Sequence, residues 1–294
     1  MENVVTIRGR HRSRPWDHRV GLRHAAETAA PDASRRSPAL EQQLAELRRE
    51  HDHLRHTLFQ AAQVQRKLCG TRHLLRKPYE VASEIFPVHD ISGDFITVFE
   101  SGEDLVFAIG DICGKGLTAG MWFAHVVGTI RLQCMTHRNP AVALTAVNHD
   151  LMRSRMELPF TSMLLCRLTL ATGEMTYCNA GHPPGLLLEH DGAVEMLGEG
   201  GPLLGAIAGA SYVAGKAVMT PGATLLGFSD GVVECGAIAG DEFGVERVLA
   251  KAQSTTGSAV GTLFSVLGAV EDFAGGRPRE DDLALMVVHR DTNA

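Results

Sequence analysis

The spacing of hydrophobic positions changes near residue 78, and the change divides the chain into two regions. Between residues 40 and 68, mostly apolar positions recur at alternating steps of four and three. This 3.5-residue repeat is typical of the seam of a coiled coil. The seam consists of Leu40, Leu44, Leu47, His51, Leu54, Leu58, Ala61, Gln65 and Leu68.

So narrow an apolar stripe needs a partner helix. We prefer a parallel homodimer to the alternative, a helix folded back on its own domain. The polar seam residues His51 and Gln65 weaken the seam, although polar residues at such positions can fix register or oligomeric state.

After Pro78 the pattern consists of short apolar strands and turns, most of them joined as hairpins. The predicted strands are Val81–Phe86, Phe95–Phe99, Leu105–Gly110, Thr161–Leu170, Glu174–Ala180, Gly185–Glu189, Ala193–Leu197, Tyr212–Met219, Ala223–Ser229 and Leu283–His289. The predicted helices are Leu117 to about Met135, one beginning at Pro140, Glu246–Gln253 and Ser258–Phe273. This arrangement predicts an α+β fold of two packed antiparallel sheets with helices outside.

We therefore divide the chain into a disordered arginine-rich tail (1–38), a coiled-coil or linker helix (39–77) and a folded domain (78–291). Residues 1–36 contain eight arginines and four acidic residues, whereas the whole chain has a net charge of −6. The remainder is thus acidic, which argues against nucleic acid as the main partner.

The composition sets further limits. Hydrophobic residues make up 45% and charged residues 21%, as is ordinary for a globular protein. No apolar run approaches the roughly 20 residues needed to cross a membrane, and the N-terminus lacks the apolar core of a secretion signal. The six cysteines form no CxxC pair, which favours reduced thiols in a cytoplasmic protein.

Aspartates lie at the ends of several predicted strands. Asp111 and Asp230 each follow a strand, whereas Asp94 and the pair Asp281-Asp282 each precede one. If the first two strands run against the other two within a sheet, all these carboxylates meet at one edge. Gathered carboxylates repel one another unless a cation holds them. Since Mg²⁺ and Mn²⁺ prefer oxygen ligands, the pattern predicts a carboxylate-lined metal centre.

In order and context, these motifs resemble the bacterial SpoIIE/RsbU-type branch of the PPM family of metal-dependent serine/threonine phosphatases. The resemblance covers about Gln63 to Arg290. Its most specific string is Asn179-Ala-Gly-His-Pro-Pro-Gly-Leu186. The other matching segments are Ser92-Gly-Asp-Phe95, Ile109-Gly-Asp-Ile-Cys-Gly-Lys-Gly116, Gly227-Phe-Ser-Asp-Gly-Val232 and Asp281-Asp-Leu-Ala-Leu285.

The resemblance implies a PPM sandwich with two Mn²⁺ or Mg²⁺ ions. Asp111 should bridge the ions and the main-chain carbonyl of Ile112 should help to bind one. Asp230 and Asp281 should hold the second ion, and Asp94 should support the site directly or through water. Two cations would lower the pKa of a bridging water, whose hydroxide attacks phosphorus in line without a phosphoenzyme.

Several positions depart from the family pattern. Thr97 stands where many relatives have a second aspartate, and we expect this to alter metal affinity. Ser92 replaces a common glycine and Ala284 a frequent threonine, while Lys115 either meets phosphate or points to solvent. Cys113 occupies the place of a histidine thought to protonate the leaving group in eukaryotic relatives. His182 is an alternative acid, but its Gly-His-Pro-Pro setting fits a structural turn equally well.

The favoured function is therefore hydrolysis of phosphoserine or phosphothreonine on a regulatory protein. The resemblance narrows the substrate to a STAS anti-anti-sigma factor in a partner-switching circuit. The alternatives are a catalytically weak scaffold that binds a phosphoprotein and a phosphohydrolase of small molecules. We expect the coiled coil to form a homodimer and its junction with the domain, around Gln65–Lys77, to transmit the signal of an unidentified activating partner.

Overall fold

The computed structural model describes residues 33–69, 72–114, 116–153, 159–236, 240–255 and 257–292. The predicted tail therefore lies almost entirely outside the described residues, as does Lys115. The helices are α1 Ala33–Cys69, α2 Leu117–Thr136, α3 Pro140–Arg153, α4 Asp230–Val233, α5 Gly244–Gln253 and α6 Ala259–Ala274. The strands are β1 His73–Arg76, β2 Tyr79–Phe86, β3 Asp94–Ser101, β4 Asp104–Ile112, β5 Thr161–Thr169, β6 Glu174–Ala180, β7 Gly185–Leu188, β8 Val194–Leu197, β9 Gly200–Gly201, β10 Gly215–Val218, β11 Thr224–Phe228 and β12 Leu283–Arg290.

The strands form two sheets. The first sheet has the order β1-β2-β12-β11-β7-β8, and the second has the order β10-β6-β5-β4-β3. The pairs along both sheets are antiparallel, and the short β9 adds a parallel pairing to β6. The predicted α+β sandwich is thus confirmed.

Three apolar clusters hold these layers together. One lies between the sheets, because it combines residues of β3 and β4 with residues of β11 and β12. The second joins the outer face of the second sheet to α2 and α3. The third joins the outer face of the first sheet to α5 and α6. Strand β4 reads as a continuous apolar run because Phe107 faces the other sheet while Val106 faces the helices.

The helix α1 has two kinds of surface along the predicted seam. The leucines of its first part are exposed in the single chain: Leu40 (66%), Leu44 (46%), Leu47 (63%) and Leu54 (58%). Nearer the end of the helix, Leu58 and Ala61 are partly buried and Gln65 is buried. The chain separates into two units between His51 and Asp52. Leu58, Ala61 and Gln65 therefore pack on the domain, as the alternative interpretation expected, whereas the last seam residue, Leu68, is exposed.

The structure differs from the predicted elements in several places. The helix α1 begins at Ala33, inside the predicted disordered tail, and β9 was not predicted. The helix ends at Cys69, and β1 pairs with β2, so the first sheet begins before the predicted boundary at Pro78. The strand predicted over Tyr212–Met219 is confined to β10, and the four-residue α4 was not predicted. None of the helices in the described ranges combines the length and apolarity required to span a bilayer.

Candidate metal centre

The predicted aspartates belong to both sheets rather than to the edge of one. Asp94 opens β3 and is the register partner of Asp111 near the end of β4. Asp230 opens α4 directly after β11, and Asp281 lies just before β12. The expectation of a single sheet edge is therefore wrong. Two facing sheets bring these residues to one end of the sandwich.

Close backbone packing joins Asp230 to the segment that contains Asp281. A Cβ atom on Gly231 would lie only 1.9 Å from the carbonyl oxygen of Asp282, so any residue other than glycine would force α4 away from the start of β12. The carboxylate of Asp230 accepts a hydrogen bond from the Gly231 amide (2.8 Å), and that of Asp281 accepts one from the Asp282 amide (2.9 Å).

The carboxylates act on one another electrostatically across the two sheets. Burial, and then the charges of Asp230, Asp281 and Asp282, raise the pKa of Asp111 to about 6. The pKa of Asp94 is also raised, mainly by burial and further by neighbouring aspartates, although a hydrogen bond from Ser229 opposes the shift. Five carboxylates from distant parts of the chain thus share one small region.

Main-chain oxygens converge on the same region. A Cβ atom on Gly93 would lie 2.8 Å from Oδ1 of Asp111, 2.9 Å from the carbonyl oxygen of Ile112 and 3.3 Å from that of Gly114. Only glycine fits at so close an approach. The Ile112 carbonyl therefore faces the same side as the Asp111 carboxylate, as its predicted role as an ion ligand requires.

The residues present fit a hard divalent cation in chemical type. Oδ2 of Asp94 is buried and has no hydrogen-bond partner, which is costly for a carboxylate that nothing compensates. Within the described ranges, no three His, Cys, Asp or Glu side chains already have the spacing of an assembled metal site. The fit is therefore one of residue type rather than of ligand spacing.

Asp282 is a residue of this region whose role the sequence did not reveal. Its carboxylate accepts hydrogen bonds from the Val88 amide (2.7 Å), the Ser92 hydroxyl (2.7 Å) and the Gly93 amide (2.8 Å). These donors lie about 190 residues earlier in the chain, so no local sequence pattern could identify them.

His182 does not have the properties of a leaving-group acid, and Cys113 does not have those of a nucleophile, so that a small turn residue is the preferred interpretation of Cys113. His182 is 5% exposed, shares a hydrogen bond with the Ser162 hydroxyl (2.8 Å), and burial lowers its pKa to about 4. It is therefore neutral at pH 7, which favours the structural-turn interpretation. Cys113 is exposed, and burial of part of its thiol together with Asp111 raises its pKa, so it is not an activated nucleophile.

Thr97 lies on the opposite face of β3 from Asp94. Its hydroxyl accepts hydrogen bonds from Nε (3.2 Å) and Nη2 (3.1 Å) of Arg131 in α2. Residues three apart on a strand point to opposite faces. Thr97 therefore supports the packing of α2 on the sheet, and the expectation that it alters metal affinity as a missing outer ligand loses its basis.

Comparison with known proteins identifies the family to which the chain belongs. The family model of Stage II sporulation protein E (SpoIIE) matches residues 101–291, more than half of the chain. The chain is 26% identical to the phosphoserine phosphatase RsbU of Bacillus subtilis over 176 residues, which are 60% of this chain and 52% of RsbU. It spans about half or less of the length of the curated relatives that it matches.

Solved structures share the fold. The SiaA-PP2C domain of Pseudomonas aeruginosa matches with a TM-score of 0.70 at 17% identity, covering 82% of this chain and 99% of that domain. RsbX, solved in complex with magnesium, matches with a TM-score of 0.58 at 14% identity, covering 74% of this chain and 98% of RsbX. The chain therefore belongs to the SpoIIE family, the RsbU-type branch of the metal-dependent PPM (PP2C) phosphatases.

Proposed function

We propose that the chain hydrolyses phosphoserine or phosphothreonine on a protein. Asp111, Asp230 and Asp281, with the Ile112 carbonyl, would hold two Mn²⁺ or Mg²⁺ ions, and Asp94 would support the site directly or through water. The observation that carries the proposal is the convergence of oxygen ligands at one end of the sandwich. There Asp94 is the register partner of Asp111, and the buried Oδ2 of Asp94 has no hydrogen-bond partner. Gly93 packs against the oxygens of Asp111 and Ile112. Membership of the SpoIIE family supports phosphate-ester hydrolysis as the reaction.

When bound, the ions would supply a water molecule of lowered pKa and would shield the phosphoryl oxygens. The residues of the chain position this chemistry. Asp94 and Asp111 are fixed by the β3–β4 register, and Asp230 is fixed by the contact of Gly231 with the Asp282 carbonyl. The two sheets thus keep these carboxylates at one end of the sandwich, where they would surround the ions.

A cleft of about 300 Å³ opens beside this site. Its lining includes Gly231, Cys235, Arg277 and Asp281. The cleft is lined by the proposed ligand Asp281 and by Gly231, the neighbour of Asp230, so a phosphorylated side chain that projects from a protein surface could approach the site through it. We propose a phosphorylated STAS-type regulatory protein as the substrate, because RsbU-type relatives imply a partner-switching circuit.

The proposal is tested by measuring phosphate release from a phosphoserine-containing STAS protein, with p-nitrophenyl phosphate as a small ester for comparison. We expect turnover that requires Mn²⁺ or Mg²⁺, stops with EDTA and is lost in Asp230→Ala. Turnover of the phosphoprotein should exceed that of the small ester. Metal-independent turnover, or wild-type protein that neither binds Mn²⁺ in calorimetry nor releases phosphate, would contradict the proposal.

We also propose that the exposed part of the α1 seam forms a parallel homodimer. Replacing Leu47 and Leu54 with glutamine should convert the dimer to a monomer in sedimentation analysis, because apolar seam residues supply the contact. The matched control replaces Arg48 and Arg55, one position further along the same helix, with glutamine and should stay dimeric. A dimer with unchanged activity in the leucine variant would refute this idea.

The end of α1 offers a route from a partner to the metal centre. The Gln65 side chain donates to the carbonyl oxygen of Ser92 (2.7 Å) and accepts from the Ser92 amide (3.2 Å). Ser92 lies two residues before Asp94, so a shift of α1 would move Ser92 and thereby displace the Asp94 carboxylate. This contact supports the proposed role of the junction in activation by a partner.

A further inference from the structure

The segment Pro87–Gly93 connects β2 to β3 and forms one wall of the candidate metal centre. The Gly93 carbonyl accepts a hydrogen bond from the Ile112 amide (3.2 Å), and its Cα packs against the oxygens of Asp111 and Ile112. Asp94 follows directly. The position of this segment, hereafter the wall loop, therefore determines where Asp94 lies relative to Asp111.

The carboxylate of Asp282 fastens both ends of the wall loop. Its Oδ1 accepts from the Val88 amide, and its Oδ2 accepts from the Ser92 hydroxyl and the Gly93 amide. Hydrogen bonds to a charged group are among the stronger ones in proteins. Because Ser92 contributes its hydroxyl, the serine that replaces the usual glycine adds a third contact to the anchor.

Asp281 and Asp282 are adjacent in the chain, but their carboxylates interact with different groups. Three of the roughly four acceptor positions of the Asp282 carboxylate are filled by the wall loop. Asp281 contributes to the raised pKa of Asp111 more strongly than Asp282 does. To coordinate an ion directly, the Asp282 carboxylate would therefore have to break hydrogen bonds to the wall loop.

We propose that Asp282 is a positioning residue that holds the wall loop so that Gly93 and Asp94 complete the metal centre, and that it is not itself a ligand. As far as it concerns metal binding, this inference rests on the proposed function. The anchoring of the loop does not, since its hydrogen bonds join only groups of the chain itself.

The first test is amide hydrogen exchange of Val88 and Gly93 in metal-free protein, followed by NMR. Asp282→Asn keeps the size of the side chain but can accept through only one oxygen, so exchange at one or both amides should accelerate by about tenfold or more. Asp281→Asn is the matched control at the neighbouring position and should leave both amides within about twofold of wild type.

The second test is calorimetric titration with Mn²⁺. Asp282→Asn should weaken binding by about 10–100-fold, as loss of a residue that supports metal ligands does elsewhere. Unchanged exchange at Val88 and Gly93 in Asp282→Asn would overturn the inference, whatever its Mn²⁺ affinity. Unchanged Mn²⁺ affinity despite accelerated exchange would overturn the link between the wall loop and the metal centre.

The two proposals fail in different ways. Wild-type protein without Mn²⁺ binding would refute the proposed function, whereas the exchange result would still decide whether Asp282 anchors the loop. If Asp282→Asn does not fold, Ser92→Ala removes a single donor from the same carboxylate. Exchange at Gly93 should then rise several-fold, and an unchanged rate would count against the anchor.

Discussion

Replacing Asp111 with asparagine is expected to abolish metal-dependent phosphatase activity while making the metal-free protein more stable. Asparagine keeps the shape of the side chain but removes the charge that the proposed bridging role needs. A loss of about a thousandfold in kcat/KM corresponds to about 4 kcal/mol of transition-state stabilisation, within the several kcal/mol that metal catalysis supplies. The matched control is Asp272→Asn, which removes an exposed charge on α6 and should retain activity.

The gain in stability follows from the pKa of Asp111. Because the folded-state pKa is raised from 3.8 to about 6, the folded protein holds this proton more tightly than the unfolded chain. Metal-free wild type therefore loses stability as the pH rises from about 4 to about 6. Above that range, its free energy of unfolding remains lower by the full amount. Asparagine has no such cost, so the variant should be more stable at pH 7.5 by up to about 3 kcal/mol.

Chemical denaturation of both metal-free proteins at pH 7.5 and pH 4 measures this difference. The advantage of the variant should shrink toward zero at the lower pH. Activity within tenfold of wild type would exclude Asp111 as a metal ligand. Equal free energies of unfolding for the two proteins at both pH values would show that neither burial nor the neighbouring carboxylates raise the pKa of Asp111.

The sequence identified which aspartates lie near one another, but not how the fold brings them together. Asp111 and Asp230 were identified because each follows an apolar strand, which is a local pattern. Their division between two sheets was missed, because alternation along a strand does not specify which sheet the strand joins. The anchoring role of Asp282 and the contact of Gln65 with Ser92 depend on pairings between distant segments, which no single window of sequence contains.

Errors in the predicted elements have similarly local causes. The strand β1 has four residues, of which only Leu74 is partly buried, so it lacks an alternating pattern. The helix α4 is too short to show helical periodicity. The seam of α1 was recognised from its spacing, but the spacing is the same where Leu40 is exposed and where Gln65 packs on the domain. Only tertiary contacts distinguish these two parts.

Replacing Asp104 with alanine is expected to cause a large loss of stability without altering the metal centre. Asp104 is 2% exposed, and its carboxylate accepts hydrogen bonds from Arg167 (3.1 Å), Arg138 (3.0 Å) and Thr169 (2.9 Å). Arg167 is also buried and donates to the Cys134 carbonyl, so it ties β5 to α2. Removing Asp104 would leave this guanidinium buried without a counter-charge.

Breaking one side of a buried ion pair costs about 3–5 kcal/mol, and we expect a decrease of that size in the free energy of unfolding. Arg138→Ala is the matched control: its side chain is 73% exposed, so its loss should cost at most about 1 kcal/mol.

Asp104 and Asp111 are seven residues apart on β4, or about 24 Å. Folded Asp104→Ala should therefore bind Mn²⁺ like wild type. A loss below about 1 kcal/mol in urea unfolding would contradict the prediction, and weakened Mn²⁺ binding by the folded variant would show that the two ends of β4 are coupled.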